Sequence, residues 1–331
     1  MKTHRWFLLA SVALLFSSCS GSDLNPSRPS TDDTSFISLL DVDVFVEYTS
    51  AKVSGTISVA TKPERITRVD VLYGNSASDL SMKASGSKDS QNGFTINLSS
   101  LEDGAKYFYR VDIIVGKSSI KGEVKSFITF PSSSVIDLDL PSGKKWASVN
   151  LGAKFPTDAG DYYAWGETST KVRYDWDTYK YCNNGDSYKL TKYCTVDYRS
   201  ANPKTMDNRV ELLPEDDAAT AILGESYATP TSKDWKELMD NCKAQSTTIN
   251  GVKGIMLSSS KDINNYKKFI FLSSESGNYR GTEFTSGGWY WAATIDSNDP
   301  PYAFYVFVST NMSTSSNRRS DGLTIRPIYV K

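Results

Sequence analysis

The sequence predicts a β-rich chain in two parts: an N-terminal all-β sandwich followed by an α+β domain. Three observations carry this. Residues 36–130 hold short runs of alternating apolar and polar residues, separated by turn residues at the spacing usual for sandwiches. The remainder to Lys331 is rich in Tyr and Trp, and Ser, Thr, Asn and Gly punctuate its short apolar runs. Only two segments there show helical spacing, so helices are few and short.

In the first part, Asp41 to Thr49 places Val42, Val44, Val46 and Tyr48 on one side of a strand. Val53 to Val59 and Ile66 to Tyr73 alternate again. Gly93 to Leu98, Lys106 to Val115 and Glu123 to Phe130 complete about seven strands. Leu101 to Tyr107 resembles the tyrosine corner of fibronectin type III domains, in which a tyrosine hydroxyl bonds to backbone a few residues upstream. The resemblance implies a fibronectin type III-like sandwich; that fold by itself implies no function, and the domain reads as spacer and stability or else as a binding module, the first being the simpler. Residues 131–136, opening with Pro131-Ser132-Ser133-Ser134, read as a linker, and the second domain spans 137–331.

Residues 1–18 read as an export signal. Lys2 and Arg5 precede an apolar run from Trp6 to Phe16, then Ser17-Ser18-Cys19. That run is too short to span a bilayer. The Ser-Ser-Cys ending resembles a bacterial lipobox, which implies diacylglyceryl modification of Cys19 and a membrane partner through that lipid. The competing reading is an ordinary signal peptide whose cysteine is incidental. Residues 19–35, rich in Ser, Pro and Asp, then form a tether.

The formal charge is −1, and loss of Lys2 and Arg5 with the signal leaves 35 basic against 38 acidic residues. Clustered basic charge, the mark of nucleic-acid binders, is missing, so no nucleic-acid partner is expected. The single histidine, His4, lies in the signal. A mature chain without histidine excludes Ser-His-Asp and Cys-His catalysis and zinc sites that need imidazole.

In the second part, Lys233 to Cys242 has Trp235, Leu238, Met239 and Cys242 at helical spacing behind Ser232 as N-cap. Pro214 to Leu223 is a second short helix. Tyr302 to Val308, apolar at nearly every position, reads as a strand in the middle of a sheet, and Leu323 to Val330 as a final strand.

An ordered series of motifs runs through this half. Leu140-Pro141-Ser142-Gly143-Lys144-Lys145-Trp146-Ala147 opens it, with Asn150-Leu151-Gly152-Ala153 and Gly160-Asp161-Tyr162-Tyr163-Ala164-Trp165-Gly166-Glu167 following. Tyr179-Lys180-Tyr181-Cys182, Leu190 to Cys194, and Pro214 to Ala219 continue it. Pro230-Thr231, Asp234-Trp235, Gly287-Gly288-Trp289-Tyr290-Trp291 and Ile325-Arg326-Pro327 close it. The series resembles the major paralogous domain first noted in Fibrobacter succinogenes and abundant in Bacteroidetes lipoproteins. One departure is Tyr227-Ala228-Thr229, where relatives carry a Trp-Arg pair. The resemblance implies a C-type lectin-like fold, shared with formylglycine-generating enzymes, and a lipoprotein of the outer membrane facing the cell exterior. Those enzymes use cysteines near the chain end, and no cysteine follows Cys242, so their activity is not transferred.

Candidate chemistry is sparse. Glu215, Asp216 and Asp217 either offer oxygen ligands to calcium or form a solvated helix start. Asp296, Asn298 and Asp299 read as a turn before Pro300-Pro301. Glu167 is either half of a glycosidase carboxylate pair or a structural hydrogen-bonding group. Cys182, Cys194 and Cys242 permit one disulfide or three free thiols. Neither a metal nor a cofactor is assigned. The Ser/Thr/Asn run to Arg319 reads either as a solvated hairpin or as a recognition surface. On the second reading the ligand-binding residues are Asn311, Asn317, Arg318 and Arg319, with Trp289 and Tyr302 nearby.

The whole points to non-catalytic recognition or adhesion by the second domain, with a glycan or surface-protein ligand. The alternatives are a carbohydrate-active enzyme or accessory glycan-binding subunit, and a structural envelope or fimbria-associated component. Lipidation is directly testable: radiolabelled palmitate is expected to enter the wild type and not Cys19→Ser, and equal labelling of both would sink the assignment.

Overall fold

The computed structural model describes residues 37–59, 65–276, 278–279, 282–283 and 287–331. The signal, Cys19 and the tether lie outside the described residues. The chain is mostly antiparallel β-sheet, and the described part belongs to one compact unit beginning at Thr34.

The first eight strands form two facing sheets, consistent with a β-sandwich. They are β1 (Ile37–Val46), β2 (Ala51–Val59), β3 (Ile66–Gly74), β4 (Met82–Gly86), β5 (Gly93–Leu98), β6 (Lys106–Val115), β7 (Ser118–Lys121) and β8 (Lys125–Ile128). One sheet has the order β1-β2-β5 and the other β4-β3-β6-β7, with β8 also paired to β6. Alternation does the folding work. Phe94, Ile96 and Leu98 of β5 point inward, as do Tyr107, Tyr109, Val111, Ile113 and Val115 of β6. Each buried side chain of that size contributes roughly 1.5–3 kcal/mol of transfer free energy. The Tyr107 hydroxyl accepts the Glu102 N–H at 2.9 Å, the bond expected of the corner.

The second part starts inside the expected linker. β9 (Val135–Ile136) is already hydrogen-bonded, and Ser132 donates through its N–H and Oγ to Asp103 Oδ2. Beside it come β10 (Lys145–Ala147), α1 (Ala218–Leu223), β11 (Tyr227–Ala228) and α2 (Ser232–Asn241). The hairpin β12 (Cys242–Ile249) and β13 (Val252–Ser259) pairs with β14 (Phe269–Ser273). β15 (Glu275–Ser276), β16 (Asn278–Tyr279) and β17 (Thr282–Glu283) are short. β18 (Gly287–Ile295), β19 (Tyr302–Val308) and β20 (Met312–Arg318) form a sheet of order β15-β18-β19-β20, and β21 (Ile328–Tyr329) joins β11-β21-β10-β9.

β19 is interior, between β18 and β20, as its apolar run requires. Two boundaries differ from expectation. The cap of α2 is Thr231, not Ser232: its Oγ1 accepts the Asp234 N–H while Asp234 receives the Thr231 N–H, a reciprocal capping box. The final strand shrinks to two residues, because Leu323 and Thr324 make only isolated bridges to Tyr163 and Tyr290.

The two parts share a core. Phe130, Met256, Phe269 and Phe271 are buried together, with Tyr48, Ile128, Ile249 and Tyr266 against them. Asn250 and Gly251 both have positive φ, 53° and 79°, as a two-residue hairpin turn demands. The tip so formed reaches β1: Asn250 Oδ1 accepts the Val46 N–H at 2.7 Å and its Nδ2 donates to Val46 O at 2.8 Å. Gly104, φ +55°, lets the chains approach there, since a Cβ on it would lie 2.7 Å from the Tyr266 carbonyl oxygen. Asn250→Gly keeps the turn and removes both bonds. It is expected to cost about 1–3 kcal/mol in denaturant unfolding; an unchanged midpoint would show that the tip does not hold the two parts together.

Candidate functional site

A cleft of about 700 Å³ lies between the sandwich and the β12–β13 hairpin. Strand periodicity builds one wall. Lys243, Gln245 and Thr247 lie two apart on β12, so they face the same way, and their partners Met256 and Ser258 continue the surface. Asp43, Lys106 and Ser126 stand on the sandwich side, over Phe127 and Ile128. A cleft of this size at a junction, with an apolar floor and polar walls, fits a small or chain-like ligand. Lys106 and Lys243 offer cationic donors from opposite walls; the amide and hydroxyls offer both donors and acceptors.

A second cluster lies behind the end of the β18–β20 sheet. Asp216 is buried and accepts hydrogen bonds from the Tyr181 hydroxyl, the Tyr193 hydroxyl at 2.5 Å, and Lys192 Nζ. Burial works against the Asp216 carboxylate, yet the bonds from Lys192 and the two tyrosines win and hold it below the usual carboxylate range. Burial, then the bond to Asp216, pushes both tyrosines well above theirs. Beside them Arg319, fully buried, donates from Nε to the Tyr179 hydroxyl at 2.8 Å. Its Nη1 donates to Tyr193 O and Pro300 O at 3.0 Å each, and Nη2 to Lys192 O at 3.1 Å. Its guanidinium also lies 4.8 Å from the Trp165 ring centroid. Each of these groups is bonded within the protein, so the cluster is a structural joint.

Two carboxylates of the acidic triplet are thus engaged inside the protein, while Glu215 is exposed. Asp216 is in this joint, and Asp217 is the buried N-cap of α1, accepting Ala219 N–H and Thr229 N–H. Neither is a solvated helix start. Glu167 accepts from Lys180 N–H at 2.8 Å and from Lys171, a structural use. Cys182, Cys194 and Cys242 are free thiols.

The residues expected to bind ligand do not converge. The run containing them is the edge strand β20, not a loop. Asn311, exposed, is at its start, and Asn317 and Arg318, half-buried, at its end, about 20 Å away at strand rise. Arg319 was expected to face solvent, and that is corrected: with a guanidinium surrounded by carbonyls 19 to 127 residues distant, it folds inward. Trp289 stacks on Tyr305 at 4.8 Å and meets Phe307 edge-on. Tyr302, half-buried, pairs with Arg318. The cleft residues escaped the sequence reading. Their signal was present: Asn250-Gly251 between two β-compatible runs is a strong hairpin mark, and it aligns Lys243, Gln245 and Thr247 on one face.

No family model matches the chain, and no curated protein does. Among solved structures, a computer-redesigned β-sandwich protein matches 29% of this chain and 96% of its own, at 19% identity and TM-score 0.23. A structure described as a myokine matches 28% of this chain and 95% of its own, at 20% identity and TM-score 0.22. The sensor domain of the anti-sigma factor RsgI4 of Pseudobacteroides cellulosolvens matches 28% of this chain and 92% of its own, at 20% identity and TM-score 0.21. Likenesses at this level carry no functional argument.

The Asp216 joint has a pH signature. A carboxylate held below its unfolded value of 3.8 adds stability above that value, and the gain is lost as pH falls through the lower folded value. Wild-type stability is expected to fall below pH 3.8, and Asp216→Asn to be about 3 kcal/mol less stable at neutral pH with a flatter acid limb. Parallel acid limbs would remove Asp216 from the account.

Proposed function

We propose that the protein is a non-catalytic recognition lipoprotein, anchored through Cys19 to the outer membrane and facing the cell exterior. In this reading residues 36–130 are a fibronectin type III-like spacer, and residues 137–331 are a member of the major paralogous domain family with a C-type lectin-like fold. The second domain supplies most of the ligand contacts. The seat is the cleft on the β12–β13 hairpin rather than the β20 run.

The observation that carries the reading is the make-up of that cleft. Hydroxyls, amides and two lysines line it, and Asp43 is the one carboxylate among its described lining residues. Acid–base pairs for glycoside hydrolysis need two carboxylates across a bond. Hydrogen-bonding groups over a small apolar floor suit binding without turnover. The shared core beneath, with Asn250 tied to Val46, keeps the walls in place and lowers the ordering cost of capture.

The test is to display the full mature chain to glycan and peptide arrays and to repeat the strongest hit with Lys106→Ala/Lys243→Ala. Affinity is expected to fall about tenfold or more, a loss of about 1.4 kcal/mol, while the thermal midpoint shifts little, because Lys243 is exposed and Lys106, half-buried, rests its ammonium over the Phe108 ring without an ion pair to lose among the described residues. Undiminished binding by the double variant would move the ligand out of the cleft.

A further inference from the structure

We propose a second site on the same chain: Tyr188 and Tyr198, held by Arg199, form a stacking platform for the sugar rings of a neutral polysaccharide. It is distinct from the cleft and does not depend on it.

The platform is built from two turns. Asn183 N–H donates to Lys189 O at 2.9 Å and Tyr188 N–H to Asp186 Oδ1 at 2.8 Å, which fixes the first. Asp197–Arg199 is a single 3₁₀ turn, with Arg199 N–H on Val196 O at 3.1 Å. Leu190, buried, joins them: its N–H donates to Arg199 O and its carbonyl accepts Ala201 N–H, both at 2.8 Å. The Arg199 guanidinium lies 4.0 Å from the Tyr188 ring centroid and 5.5 Å from that of Tyr198. An ion pair to Asp299 at 2.9 Å ties it to the 296–302 turn. The turn is held in its own right by Thr195 Oγ1 on Ser297 O.

Tyr188 and Tyr198 are nonetheless 57% and 61% exposed, the most open aromatic side chains among the described residues. A single exposed tyrosine needs no explanation. Two that share one guanidinium are different. Arg199 covers part of each ring, and exposure above half leaves the rest of each ring to solvent. The two centroids are no further apart than their distances to Arg199 laid end to end, so both rings lie within reach of one short stretch of a chain-like ligand.

The ligand class follows from the surroundings. The aliphatic residues of this loop, Leu190 and Val196, are buried or half-buried, so the patch is two rings in a polar field of Asn, Asp, Ser and Lys. An apolar protein surface would meet too little hydrophobic area there. A pyranose presents a face of C–H bonds, weakly positive, which complements the negative face of an aromatic ring. Its ring of hydroxyls then meets carboxylates such as Asp186 and Asp299. Both rings being held in advance, little rotamer entropy is lost on binding.

Affinity electrophoresis of the full mature chain through gels containing soluble xylan, mannan or β-glucan tests this. Retardation of the wild type by at least one of them is expected. Tyr188→Ala and Tyr198→Ala should each weaken it about tenfold, and the pair should remove it. Tyr188→Phe/Tyr198→Phe should keep it, because stacking needs the ring and not the hydroxyl. Lys106→Ala/Lys243→Ala should leave it unchanged, and thermal midpoints should match throughout. The proposal is overturned if none of the three polymers retards the wild type, if the double alanine variant migrates like it, or if only the cleft variant loses retardation.

Discussion

Two buried guanidinium groups hold the second half of this protein together. Residues 148 to 217 contain only short 3₁₀ turns and isolated bridges, so their carbonyls lack the regular partners that helices and sheets supply. Arg326, fully buried, donates from Nε to Asn150 Oδ1 at 2.7 Å. Its Nη1 reaches Ala147 O and Ser148 O, and its Nη2 reaches Phe271 O at 2.7 Å. Arg319 does the same for the carbonyls of Lys192, Tyr193 and Pro300. Neither group has a carboxylate among these partners. Burial pulls Arg326 down to about 10 against an opposing pull from Tyr290, the cost of a cation surrounded by neutral dipoles. Only a forked, five-donor group can satisfy so many acceptors at one point.

From these joints the irregular segments gain a rigidity that their local sequence does not confer. Trp165 donates to Ala292 O and receives Arg319 against its ring, and Tyr179 bonds both Trp165 O and Arg319. The aromatic richness of this half is thus an internal scaffold. Where an aromatic side chain is left open, as at Tyr188 and Tyr198, it sits on a frame already fixed.

How much of this was legible follows from the range of each interaction. β5 and β6 were readable to the residue because alternation is a local pattern, and the Tyr107 bond spans five residues. α2 was displaced by one residue because Thr231 and Ser232 are both good caps, and only the reach of Asp234 decides between them. Arg319 was misread because nothing near it in sequence predicts its fate: its partners lie 19 to 140 residues away. Composition around it, mostly Ser, Thr and Asn, described the exposed strand it terminates and not the arginine itself. The cleft was hidden for the same reason, since its two walls come from strands more than a hundred residues apart, although the hairpin forming one wall was written locally in Asn250-Gly251.

The tie between Asn250 and Val46 also has a mechanical meaning. A pull along β1 runs from Ile37 towards Val46. β1 is paired with β2 on both sides of a bulge at residues 41–42, from Ile37 opposite Val59 to Val46 opposite Ala51, so load along the strand is shared by many bonds in shear instead of opening them one by one. At the far end of that ladder the hairpin tip grips the strand, and load passes into the second half beside the shared aromatic core. A chain wired this way passes load from β1 into the second half and resists extension as one body.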